Sequence, residues 1–468
     1  MGKLKAGIGS AVITPPVGIE MGAWVLRQGL AQSVHDDHYA RALVLDDGAV
    51  PLAVVSIDVA NLSTERANHV RELAAAQTGI PAANILLNCS HTHTTPHAGW
   101  SGWRDISTLS AGHRAYLEAL DHLIAGAIIE AWHARRDAAI GAASTEVRGV
   151  TINRRDPALP ADPQLGVVRV DDAAGEPLAC LVNFACHGTT VGAHYLAWTA
   201  DFAGYLARFI EDALPGCAGM FLQGAEGDIH PWDWYFGNPN PRWGDTYEAA
   251  ERLGLALAGP ALSLMGQIKT DAEAEIRLAH NTIMLPPRPI PWTAEQAEAY
   301  LAQIEANTPP YKGATIPDRC PGCQSAQRFP ASYRLVGARH EAKFARNYPK
   351  DGIAAELTVA RINDIVLAAN PGELFNELGS QIKRNSPVAN TFVLSITNGS
   401  IAYIPTREAA EAVLNMPLEE FTDPVKHRRH YGATITTEIG PAGGEMVVAE
   451  TLRLIDQVCQ PRRKRSKE

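Results

Sequence analysis

The sequence predicts a layered α/β fold, a mixed β-sheet core flanked by helices, and three observations carry that expectation. Short apolar, β-branched runs occur at Ala42–Leu45, Leu52–Ile57, Ile85–Asn88, Leu178–Ala185 and Gly219–Leu222, each followed by polar or Gly-rich residues, the signature of buried strands. Between them lie segments with apolar residues at three- and four-residue steps, Thr64–Thr78, Arg114–Arg135, Phe202–Ala213 and Tyr247–Met265, which predict helices. The two patterns alternate along the chain, and alternation produces layers.

The elements after Met265 follow a different order. Leu285–Thr293 reads LPPRPIPWT, and its prolines precede the acidic helical pattern Ala294–Glu305. The strand patterns LTVARI and DIVLAAN resume after about residue 355. This predicts one catalytic domain over 1–284 and 355–460, a Pro-rich insertion over 285–354, and a basic tail over 461–468. Within the insertion Cys320 and Cys323 form a C-x-x-C with no second ligand pair nearby, which reads either as a plain loop or as a metal clip at a subunit contact, so a homo-oligomer is left open.

Composition narrows the function classes. The chain has 468 residues, 46% hydrophobic and 20% charged, with a formal net charge of −10. Outside the Arg462–Lys467 tail there is no basic run, so nucleic acid is not an expected partner. Apolar stretches such as Leu117–Trp132 are interrupted by charge or histidine, so no membrane span is expected. Seven cysteines and an N-terminal sequence without a signal-peptide pattern lead us to expect a reducing, cytoplasmic setting.

The chemistry concentrates at strand ends. In ILLNCSHTHTTPHAGW a strand pattern runs into His91, His93 and His97; residues two apart in an extended chain share a side, so His91 and His93 can face one cavity. Imidazole is a favoured zinc ligand, and a merely histidine-rich loop is the competing reading. LACLVNFACHGTT ends the same way at His187, and DIVLAANPGELF delivers Glu373 after a Pro-Gly turn, a carboxylate suited to complete a ligand set. Asp58, at another strand end, is a candidate support for a ligand histidine. Glu226 and Asp228 flank His230 in GAEGDIHP and either orient it or join His97 at a second metal, although a turn-capping Asp228 is the simpler reading. Trp232, Trp234, Tyr235 and Phe236 suit a lid or pocket wall as well as core packing. The VHDDHYARAL segment, with His35, Asp36, Asp37 and His38, reads as a solvated turn fixed by Asp36. Tyr403, after the strand pattern TFVLSI, reads by itself as a packed aromatic.

Seven segments, SHTHTTPHAG, INRRDP, NFACHGTT, FLQGAEGDIHP, NPGELF, NGSIAYIPT and HYGATITTEIGPAGGE, resemble the successive motifs of the neutral, non-lysosomal ceramidase family across nearly the whole chain. The resemblance implies a zinc amidase fold with one ion held by His91, His187, Glu373 and the Tyr403 hydroxyl, a second ion being the alternative. It also implies that His93, Arg154 and Tyr431 surround the scissile bond. The chain departs from the family at one position: where the family has a serine nucleophile after Gly-Asp-aliphatic, this chain reads Gly227-Asp228-Ile229-His230-Pro231. A metal-activated water then replaces the serine, with His93 or His230 as general base and Arg154 and Tyr431 as hydrogen-bond donors. The family's immunoglobulin-like C-terminal domain and secretion signal are not seen. The resulting expectation is a zinc hydrolase of an amide, ester or lactone bond in a small soluble molecule. An N-acyl lipid amidase is the alternative, and an inactive metal-binding protein is the alternative of another class.

Overall fold

The computed structural model describes residues 2–24, 27, 29–99, 108–231, 246–308, 330–423, 430, 432–434 and 436–460. Two sheets carry the fold. The larger has eight strands in the spatial order Ala218–Gln223, Pro177–Phe184, Gln164–Asp172, Arg136–Glu146, Lys5–Val12, Tyr39–Asp46, Pro51–Ile57 and Ile85–Cys89. Its two outermost pairs are parallel, Pro177–Phe184 with Ala218–Gln223 and Pro51–Ile57 with Ile85–Cys89, and the inner pairs are antiparallel. The sheet coils until its ends approach one another: Ser56 Oγ donates to the Phe221 carbonyl (2.7 Å) and the Gln223 amide to Asn88 Oδ1 (2.8 Å). Two distant pieces of sequence thereby bring their strand ends to one place.

The second sheet has four strands, Ile276–Leu285, Ile353–Ile362, Ile365–Ala369 and Asn390–Leu394, the last two parallel. Ile365–Ala369 shows why sheets and helices stack as they do. Ile365, Leu367 and Ala369 join a core shared with Leu43, Val54, Leu86 and Leu222 of the first sheet, whereas Val366 and Ala368 face a core that includes Val447, Leu454 and Ile455 of the helix Gly443–Cys459. A strand buried on both faces is apolar at every position, and alternate residues serve opposite layers. The result is helix, sheet, sheet, helix. The helices Thr64–Thr78 and Ala111–His133 close one part of the outer layer, and Asp201–Ala213 with Tyr247–Met265 close another.

The expected strands and helices are present, and the fold is mixed α/β. Thr64–Thr78 and Tyr247–Met265 have the expected bounds, each with a Ser or Thr N-cap. Four strands of the two sheets lacked a readable pattern, Lys5–Val12, Arg136–Glu146, Gln164–Asp172 and Ile276–Leu285. The first two are rich in Gly, Ala and Ser, residues that favour strands only once neighbours supply the pairing. Cys320, Cys323, the Trp232–Phe236 aromatics and the basic tail lie outside the described residues. No helix among the described residues is long and apolar enough to cross a membrane.

The Pro-rich region begins with a charged group held in the core. Arg288 is 2% exposed, and its Nη2 donates to both carboxylate oxygens of Glu341 of the helix Pro330–Arg346, each at 2.8 Å. Beside it, buried His340 has Nδ1 3.1 Å from Glu341 and Nε2 3.4 Å from Glu438. Burial opposes charge on this imidazole, but the two carboxylates outweigh it and hold its pKa above the ordinary value of about 6.5. A raised pKa contributes stability that is complete below the unfolded value and is lost as pH rises through the folded one. Wild-type stability to denaturant is therefore expected to fall from pH 6.5 upward, with a shallower fall in His340→Gln. Equal slopes in the two proteins would remove this role from His340.

Candidate metal centre

The candidate ligands, Glu226 and His230 come from five loops, each leaving the C-terminal end of a strand in a parallel pair, the usual place for sites in such sheets. His91 follows Ile85–Cys89, His187 follows Pro177–Phe184, Glu226 and His230 follow Ala218–Gln223, Glu373 follows Ile365–Ala369, and Tyr403 follows Asn390–Leu394. His91 adopts φ +62°, a left-handed conformation uncommon outside glycine, and its amide is held by the Val59 carbonyl at 3.0 Å. The next residues form a parallel bridge, Thr92 with Gly188, that fixes the His91 loop against the His187 loop. Gly188 is required there because a Cβ would stand 2.4 Å from the His91 carbonyl oxygen. Gln223 fastens the same two loops from below, its Nε2 donating to the carbonyls of Ser90 (3.0 Å) and Cys186 (2.8 Å).

Backbone carbonyls set the imidazole tautomers. His91 Nδ1 lies 2.8 Å from the Ala60 carbonyl, and His187 Nδ1 lies 2.9 Å from the Glu226 carbonyl. A carbonyl accepts only, so each Nδ1 carries the proton and each Nε2 offers a lone pair. Both lone pairs point at Glu373: Oε2 is 3.5 Å from His91 Nε2 and 3.2 Å from His187 Nε2, and among the described residues it has no hydrogen-bond donor. Two lone pairs and a carboxylate oxygen facing one another in the interior are satisfied by a cation. The donor set is the kind that binds zinc, with carbonyl partners behind the imidazoles. His93, less buried than its neighbours, adds Nε2 at 3.3 Å from His91 Nε2, and the Trp24 ring meets it edge-on at 5.3 Å.

The electrostatics agree with this arrangement. Burial, reinforced by the Arg154 guanidinium, lowers the His187 pKa to about 3. Burial works to raise the pKa of Glu373, and positive charge at this point, which protonated imidazoles of His91 and His187 or a bound cation would supply, holds it well below the carboxylate range. Burial and the neighbouring Glu373 push Glu226 well above that range.

The remaining wall is built by a short antiparallel pair, Thr151–Asn153 with Ile229–Pro231. It sets Arg154 beside His230: Nη1 donates to His230 Nε2 at 2.8 Å and lies 3.4 Å from His187 Nε2, while Nη2 donates to the Gly227 carbonyl at 2.5 Å. The guanidinium also stands 5.1 Å from the Tyr403 ring centroid. Tyr403 pairs in register with Glu373 in a two-residue parallel ladder, which puts the two side chains on one face. Gly227 permits the loop to pass Glu373, since a Cβ would lie 2.4 Å from the Glu373 carbonyl oxygen. The structure thus brings together His91, His93, His187, Glu373, Tyr403, Arg154 and His230. Tyr431 lies outside the described residues.

The structure decides three alternatives that the sequence left open. Asp58 supports no ligand histidine; it accepts from the Tyr39 amide at 2.9 Å and faces Arg41 at 3.6 Å, and the Ala60 carbonyl takes its expected place behind His91. Asp228 and His97 do not join a second metal site among the described residues. Asp228 accepts from the Asn376 amide and Asn153 Nδ2, both at 2.8 Å, and the His97 ring stacks on His113. The His35–His38 turn is solvated at His35 and Asp37 and fixed by Asp36, which accepts from Thr199 Oγ1 and the Ala200 amide, as expected, while His38 is buried. Sequence reasoning overlooked Gln223 and Arg27. Buried Arg27 donates to the carbonyls of His93 (2.5 Å), Gly192 (3.3 Å) and Ala193 (3.3 Å), tying the His93 loop to the segment after His187. A polar residue closing an apolar strand was the available signal for Gln223; for Arg27 there was none.

Residues 4–231 match the family model described as neutral/alkaline non-lysosomal ceramidase, N-terminal. Neutral ceramidase B of Dictyostelium discoideum is 29% identical over 224 residues, covering 42% of this chain and 31% of that protein. Neutral ceramidase of Pseudomonas aeruginosa is 25% identical over 302 residues, covering 58% of this chain and 43% of that protein. The chain thus spans less than half the length of these curated relatives. Among solved structures, a ceramidase complexed with C2 superposes with a TM-score of 0.69 at 18% identity over 97% of this chain and 75% of the other. The neutral ceramidase of Pseudomonas aeruginosa superposes with 0.68 at 18% identity, over 100% and 77%. These two structures share the fold.

Proposed function

Because the chain belongs to the neutral/alkaline non-lysosomal ceramidase family, we propose that it is a metal-dependent amidase that hydrolyses the N-acyl bond of a ceramide-like lipid. The observation that carries this reading is the convergence of His91 Nε2 and His187 Nε2 on Glu373 Oε2 at 3.5 and 3.2 Å. The family premise outweighs the expectation of a small soluble substrate. In this reading His91, His187, Glu373 and the Tyr403 hydroxyl hold one zinc ion. When bound, zinc supplies Lewis acidity and brings the pKa of water to about 7.

The protein's own groups do the rest. Ala60 and Glu226 carbonyls hold the ligand imidazoles in the metal-binding tautomer. Arg154, held by the Gly227 carbonyl and His230, places a fixed positive charge beside the ligands, where it stabilises an oxyanion developing on the scissile carbonyl. His93, the more accessible imidazole, takes a proton from the attacking water and returns it to the departing amine. Burial, with His91 and His187 beside it, holds its pKa well below the ordinary imidazole value, so it rests unprotonated and ready to act as the base. His230 stands where family members carry serine, and its Nε2 accepts from Arg154. It therefore acts on the reaction by positioning Arg154.

The test is release of fatty acid from a short-chain ceramide in detergent, run beside a panel of small amides and lactones and repeated after chelation. Ceramide cleavage lost on chelation and restored by zinc is the expected result. Turnover confined to the small substrates would return the soluble-substrate reading, and metal uptake without turnover of any substrate would identify a binding protein.

A further inference from the structure

A second carboxylate faces the same cluster. Glu226 is fully buried, and among the described residues neither of its carboxylate oxygens has a hydrogen-bond partner. The Ser395 hydroxyl favours its ionised form without meeting the geometry of a hydrogen bond. One ligand atom each from Glu226, Glu373 and His91 lie within 4.8 Å of one another, and this triad shares His91 with the group formed by His91, His93 and His187.

Hydrogen bonds fix the main chain on both sides of Glu226. Its carbonyl accepts from His187 Nδ1 and from the Ile229 amide (2.8 Å), the Gly227 amide donates to the Leu374 carbonyl (2.9 Å), and Asn376 Nδ2 donates to the Ala225 carbonyl (3.0 Å). The main chain of residue 226 thus orients one imidazole while its side chain faces the other imidazole and Glu373. Two ionised carboxylates this close repel one another unless one takes up a proton or positive charge lies between them, and a divalent cation balances two negative charges.

We propose that Glu226 is a direct ligand of the cation, which gives this site two imidazoles and two carboxylates. The inference rests on the metal-centre reading above and adds a ligand to it. An additional oxygen donor raises the coordination number and favours ions that accept five or six ligands, such as Mn²⁺, relative to tetrahedral zinc.

The experiment titrates Zn²⁺ and Mn²⁺ into metal-free wild type, Glu226→Gln, Glu226→Ala and His187→Ala by calorimetry, with melting of each metal-free protein as the folding control. Glu226→Gln keeps the shape and removes the charge. It is expected to lose roughly 10- to 100-fold or more in affinity, with the larger loss for Mn²⁺, while the metal-free protein melts no lower than wild type. The Co²⁺ form of wild type is expected to show the weaker d–d absorption of a five-coordinate ion, and Glu226→Ala the stronger absorption of a four-coordinate one. Wild-type affinity in Glu226→Gln alongside a loss in His187→Ala overturns this inference and leaves the metal centre standing. An intense four-coordinate Co²⁺ spectrum in wild type also overturns it. No uptake by wild type overturns both.

Discussion

Glu373→Gln is expected to empty the metal centre and to slow hydrolysis by roughly 10³-fold or more, the factor that corresponds to losing about 4 kcal/mol of charge stabilisation. The substitution conserves volume, so Leu374, Phe375 and the helix after them keep their packing. What changes is the charge. Oε2 is the atom on which the His91 and His187 lone pairs converge, and a neutral amide in its place offers a weaker oxygen or a nitrogen that cannot bind. The two imidazoles keep their orientation because Ala60 and Glu226 carbonyls set it independently of Glu373. Elemental analysis with ceramide turnover on the same samples checks this. If Glu373→Gln retains the wild-type metal content and rate, the centre is not built around this carboxylate.

Arg288→Ala is expected to destabilise the protein by about 3–5 kcal/mol, the range for breaking a buried ion pair by removing one partner. The guanidinium satisfies both oxygens of Glu341, donates through Nε to the Thr437 carbonyl at 3.1 Å, and lies 4.3 Å from the Phe421 ring centroid. Truncation would leave Glu341, 1% exposed, with a single His340 contact. The effect reaches the site. Arg288 also receives the Glu438 carbonyl on its backbone amide at 2.7 Å, and the same segment carries Gly432, where a Cβ would lie 3.1 Å from Phe375 and 3.6 Å from Tyr403. Denaturant unfolding of Arg288→Ala, Glu341→Leu and the Arg288→Met/Glu341→Leu pair measures the coupling. The apolar pair is expected to recover most of the loss; a single-variant cost under about 1 kcal/mol would show that the pair is not what fastens this helix.

The sequence by itself determined the strand and helix alternation and the five strand ends from which the candidate residues project. Buried strands are apolar on both faces, and a polar residue just beyond such a run is conspicuous, which is why His91, His187 and Glu373 were legible while Lys5–Val12, made of Gly, Ala and Ser, was not. The motif order was sufficient for the family resemblance. Tertiary structure decided which neighbours each side chain meets. It placed Asp58 with Arg41, His97 with His113, and the Glu226 side chain against His91 and Glu373. The physical reason is that local pattern reports burial and periodicity, both properties of one segment. Ligand geometry depends on the coiling of the large sheet, which joins residues such as Gln223 and Ser90, 133 positions apart, through a hydrogen bond that leaves no mark on either segment.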